Sequence, residues 1–173
     1  MLDLKSIELK KTKLLKYWPL ACVIIISALT ATALFIIMKR GPNLWMHNFM
    51  GIFLCQLATL KLLHPKGFAE GFAKYDLIAM RNKKYALFYP LIELFLGLCF
   101  LAQVIPVAIY ILTIAVFGLG AVGVIMALKK GMDVRCVCLG TVLDVPLSTV
   151  SLIEDIGMVL MTAGLEYCEP PVA

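Results

Sequence analysis

Long apolar runs alternate with short, basic connectors along most of this chain. From Trp18 to Met38 there is no charged residue, and at about 1.5 Å of helical rise per residue such a run crosses a hydrocarbon core about 30 Å thick. Gly41–Pro42 makes a tight exit, and a second helix is predicted over about 44–63, interrupted by His47, Asn48 and Gln56. A polar connector follows to Tyr85, in which Gly67-Phe68-Ala69 is nearly repeated as Gly71-Phe72-Ala73. Phenylalanines four apart share a helix face, so a short interfacial helix is expected there. A third apolar helix is predicted over about 86–104 with Glu93 in its first half. Pro106 breaks it, and a fourth runs over about 107–128, carrying Gly118, Gly120 and Gly123, small residues that let helices approach closely in a bilayer. The last apolar stretch, about 147–165, has a polar side of Ser148, Thr149, Ser151, Glu154, Asp155 and Thr162. It reads as a fifth span or as a helix lying partly in the interface.

Composition agrees with this pattern. The chain is 62% hydrophobic and 16% charged, whereas a soluble domain is nearer half apolar and about a quarter charged. The fold class is therefore all-α, an integral membrane helical bundle of four or five transmembrane helices. Residues 1–17 form a basic amphipathic N-terminal segment, 18–166 a single membrane domain, and 167–173 a short tail. The first apolar run ends at Lys39–Arg40 without a small-residue cleavage site, as a retained span does.

Charge sets the orientation. The net charge of +5 does not point to nucleic acid, because the basic residues sit beside apolar segments. With five spans and the N-terminus inside, segments 1–17, 64–85 and 129–146, together with Lys61, hold fourteen of the sixteen lysines and arginines. The excess of Lys and Arg on one side predicts an inner (plasma) membrane protein with a cytoplasmic N-terminus. Cys136 and Cys138 are then expected on the cytoplasmic side.

Those two cysteines are the main candidates for chemistry. Two thiolates one residue apart suit Cu(I), Hg(II) or another soft ion of low coordination number, but do not make a tetrahedral zinc site alone. A disulfide closed over one residue is strained and readily reduced, which suits exchange. Arg135, with Lys129 and Lys130 close in sequence, favours the thiolate. Simple packing in a turn at the membrane edge is the plainer alternative. Cys22, Cys55 and Cys99 lie in apolar runs and read as packing residues. Ionisable side chains within spans are costly, by about 3 kcal/mol, and face a bundle interior or a cavity. Glu93 is the best example; Glu154 and Asp155 belong either with it, as polar contacts or a proton route, or at the solvated boundary. His47 and Gln56 are expected to bond between helices, and His64 and Asp76 to be solvated or capping.

The segments NLWMHNFMGIFL, GFAEGFAKYDLIA, YPLIELFLGL and RCVCLGTVLDVPLSTVSLIED, spanning about 43–161, resemble the MauE/DoxX-like family of redox-associated membrane proteins. That resemblance implies a small polytopic inner-membrane bundle. MauE members are tied to methylamine utilisation, where they are thought to assist disulfide formation or maturation of a periplasmic dehydrogenase subunit. Similar proteins joined to glutaredoxin-like or heavy-metal-associated domains imply thiol or metal traffic. Three functions follow as expectations. The first is thiol-disulfide exchange through Cys136 and Cys138 with a glutaredoxin-like partner. The second is a soft-metal carrier with the pair as ligands to Cu(I) or a similar ion and Cys55, Cys99, His47 and Gln56 as relay positions. The third is a non-catalytic accessory subunit. The bilayer is the one firm partner, and an oligomer is compatible with all three.

Overall fold

A computed structural model of the chain describes residues 18–38, 41–74, 76–103, 106–130 and 147–168, and these form six helices. They are α1 Trp18–Met38, α2 Pro42–Leu63, α3 Pro65–Phe72, α4 Lys83–Ala102, α5 Pro106–Lys129 and α6 Leu147–Cys168. The basic N-terminal segment and the connector holding Arg135, Cys136 and Cys138 lie outside the described residues. Four helices, α1, α2, α4 and α5, are long and apolar enough to cross a bilayer. This is the expected all-α membrane bundle.

The boundaries have local causes. Pro42 and Pro65 stand in the first turns of α2 and α3, where a missing N–H costs nothing. Asn82 caps α4 by accepting the Lys84 N–H at 3.0 Å. At its other end α4 stops at Ala102, because Gln103 turns left-handed (φ 52°) and donates its N–H to the Cys99 and Phe100 carbonyls. The C-terminal turn, rather than Pro106, therefore ends this helix, and Pro106 begins the next. Ser27 and Thr162 inside the bundle, and Thr30 and Thr59 on its outer face, return their hydroxyls to carbonyls one turn back, which satisfies them where no water is at hand.

Packing follows chain order only in part. The closest pairings are α5 with α6, α2 with α4, and α1 with α2, whereas the consecutive helices α4 and α5 barely touch. Van der Waals fit drives association in lipid, so small residues decide where backbones meet. The tightest crossing is between Gly51 on α2 and Gly97 on α4. A Cβ on Gly51 would stand 2.9 Å from the Gly97 carbonyl oxygen, and one on Gly97 would stand 3.0 Å from that of Gly51. Gly120 also serves a close approach, against the Asp155 carboxyl, but Gly118 faces open space.

The helix α6 sits within the bundle. It packs along α5 and against α2, with Met158 and Leu165 in the same core as Met50, Leu54 and Phe117. Ile153, Ile156 and Leu160 form its outward face. Glu154 and Asp155 are 6% and 5% exposed, so the solvated boundary location is corrected: both point inward. The short helix α3 matches the expected one, yet Phe68 and Phe72 turn toward the bundle, stacked at 5.0 Å and packed on Tyr89.

Candidate functional site

Lys61 lies in the last turn of α2, close to where the chain leaves the apolar run. Side chains on a helix lean toward its N-terminus, so this lysine reaches back into the bundle rather than out toward the nearer interface. Its Nζ donates to both oxygens of Glu93 on α4, at 2.8 Å each, and to Glu154 Oε1 on α6 at 3.0 Å. All three ammonium protons are thereby used, and three helices are tied at one point. Lys61 was counted with the inner-face charges; instead it is 8% exposed and fully engaged. The remaining basic residues still give the same charge asymmetry.

Aromatic rings close this cluster on the α3 side. The Lys61 ammonium stands 5.7 Å from the centre of the Phe68 ring and 5.5 Å from that of Tyr89, within cation–π range. Asp155, next to Glu154, lies against Gly120, and its nearer carboxylate oxygen would be 3.0 Å from a Cβ there. A side chain larger than hydrogen at position 120 would displace it. Within electrostatic reach of Asp155 is Asp76, on the loop between α3 and α4. Asp76 accepts the N–H groups of Ile78 and Ala79 at 3.0 and 2.7 Å, the capping role expected for it. Its carboxyl is held above the ordinary value of 3.8 because burial outweighs those two bonds. His64, by contrast, makes no side-chain capping bond.

A second polar group lies near the other end of α2. His47 bonds through Nε2 to the Tyr110 hydroxyl on α5 at 2.5 Å and through Nδ1 to the Asn43 carbonyl at 2.8 Å. Gln56 Oε1 accepts from Ser27 on α1 at 3.4 Å. Both are the interhelical ties the sequence predicts. Between this group and the Lys61 cluster the core is apolar, filled by Met50, Leu54, Phe117 and Met158. His47, Gln56, Cys55 and Cys99 do not converge: among the described residues, no group of three His, Cys, Asp or Glu side chains is placed to hold a metal ion. Cys55 packs its sulfur against Gly97.

Of the predicted site residues, Glu93, Glu154 and Asp155 are thus brought to one end of the bundle, around a lysine that sequence reasoning placed at a boundary. One available signal was position: Lys61 precedes two leucines in an otherwise apolar run. Cys136, Cys138 and Arg135 fall in the stretch between α5 and α6, outside the described residues.

Fold and site together define a polytopic helical membrane protein with a buried ion cluster tying three of its helices. Residues 39–167 match the family model of the methylamine utilisation protein MauE, and the chain belongs to that family. No protein of curated function and no solved structure matches it.

Proposed function

We propose that this protein is a thiol-redox component of the membrane that serves the maturation of a partner protein, with Cys136 and Cys138 as the exchanging pair. The observation that carries the reading is the spacing of these two thiols, one residue apart and next to Arg135, in the connector joining α5 to α6. Membership of a family named for methylamine utilisation supports a maturation role in the same way. A thiolate of the pair attacks a disulfide of the partner, forming a mixed disulfide and releasing one partner thiolate. The second cysteine then attacks the bridging sulfur, so that Cys136–Cys138 becomes the disulfide and the partner leaves as a dithiol. Run in reverse, the same steps oxidise the partner. Lowering the thiol's proton affinity is the part Arg135 plays.

Redox titration of the purified protein against a dithiol buffer, read by alkylation and mass spectrometry, tests this. The pair is expected to change oxidation state with one defined potential in metal-free buffer, and Cys138→Ser to trap a mixed disulfide through Cys136. A pair that never oxidises under these conditions but binds one equivalent of Cu(I) would replace exchange by soft-metal carriage. Full cellular activity in the Cys136→Ser/Cys138→Ser protein would leave only the accessory role.

A further inference from the structure

The charges around Lys61 do not balance. Glu93, Glu154 and Asp155 are 1%, 6% and 5% exposed, and Lys61 is the cation they share. Its ammonium lies between the Glu93 and Glu154 carboxylates, 2.8 and 3.0 Å from their oxygens. Asp155 has no hydrogen bond or ion pair among the described residues, although it is more than nine-tenths buried. Three ionised carboxylates beside one ammonium would leave two negative charges without a counter-charge in a medium that solvates them poorly.

Among the described residues, nothing facing the cluster from neighbouring elements supplies that charge. On α2 the other titratable group in reach of Glu93 is the Cys55 thiol. The α3 side contributes the Phe68 ring. The α3–α4 loop brings Asp76, a further acid, and α4 brings Tyr89, with Tyr85 in reach of Asp76. From α5 the contact is Gly120. Toward the His47 end the fully buried Met50, Leu54, Phe117 and Met158 close the way. Among these groups, only the carboxyls themselves can remove the excess charge, by taking up a proton.

We propose that Lys61, Glu93, Glu154 and Asp155 form a proton-binding site within the bundle, which carries at least one exchangeable proton on its carboxyl groups near neutral pH. The proton moves between a carboxyl oxygen and solvent water, with no other bond made or broken. Glu93 and Glu154 share one ammonium, so protonation of Glu93 strengthens the hold of Lys61 on Glu154. The site thus couples proton occupancy to the contacts joining α2, α4 and α6. It stands independently of the sulfur chemistry proposed above.

Infrared spectroscopy of the full chain in lipid vesicles, recorded in light and heavy water across the neutral range, provides the test. A protonated-carboxyl stretching band is expected near neutral pH, shifting on deuteration, disappearing as pH rises, and diminished in Asp155→Asn or Glu93→Gln. The same band is expected unchanged in Cys136→Ser/Cys138→Ser, so loss of exchange activity and loss of the proton site are read separately. The wild-type titration needs no variant to fold. Absence of a titrating band in the wild type, or a band indifferent to both carboxyl substitutions, would overturn the proposal.

Discussion

The Nζ of Lys61 stands 2.8 Å from both carboxylate oxygens of Glu93, thirty-two residues further along the chain and on another helix. A bidentate pair of this kind, with Glu154 completing the ammonium's coordination, is satisfied only while all three partners are present. Lys61→Met should therefore destabilise the protein by about 3–5 kcal/mol, since it leaves buried carboxylates unpaired. Lys61→Met combined with Glu93→Gln and Glu154→Gln should recover much of that loss. Thermal unfolding in detergent, compared among the three proteins, measures the difference, and equal midpoints for single and triple variants would contradict it.

The α2–α4 crossing makes a steric prediction. A Cβ at Gly51 would meet Leu101 Cγ at 2.6 Å and the Gly97 carbonyl oxygen at 2.9 Å, and the backbone contact cannot be relieved by a rotamer change. Gly51→Val should cost about 1–3 kcal/mol or more through overpacking. Gly118→Ala, which meets nothing within 4 Å, should be neutral or stabilising by about 1 kcal/mol through helix propensity. Unfolding midpoints of the two variants in the same detergent separate these outcomes.

Asp76 combines a cap with a burial penalty. Asp76→Ala removes the acceptor for Ile78 and Ala79 N–H and should cost about 1–2 kcal/mol. Asp76→Asn keeps an acceptor oxygen and should cost less. Burial holds the folded carboxyl above the unfolded value of 3.8, so the folded state binds the proton more tightly. Its contribution to stability is full below that unfolded value and is lost as pH rises through the folded one. The midpoint of the wild type relative to Asp76→Asn should accordingly rise on acidification from neutral toward about pH 4. A pH-independent difference would contradict the burial effect.

Orientation can be read from the thiols. In a protein retaining only Cys136 and Cys138, a membrane-impermeant thiol reagent should label inside-out vesicles and leave right-side-out vesicles unlabelled. That follows from the concentration of Lys and Arg in segments 1–17, 64–85 and 129–146. Labelling of intact cells from outside would invert the topology and the partner's compartment with it.

The local chain determined a good deal by itself. Unbroken apolar length predicted the membrane helices to within a few residues, because crossing lipid demands an uninterrupted run with its backbone bonds satisfied internally. Gly41–Pro42 and Pro106 marked breaks between apolar runs, and each proline proves to begin the next helix, where a first turn does not need its missing donor. Glu93 stood out because an acid within a span demands a partner. Which partner it takes was decided only in three dimensions. Apolar residues surround these helices on every side, lipid-facing and core-facing alike, so periodicity does not reveal which face turns inward. The Gly51–Gly97 crossing, the inward reach of Lys61 and the burial of Asp155 against Gly120 each depend on helices distant in sequence fitting together. Contact between surfaces settles them, and no single segment carries that information.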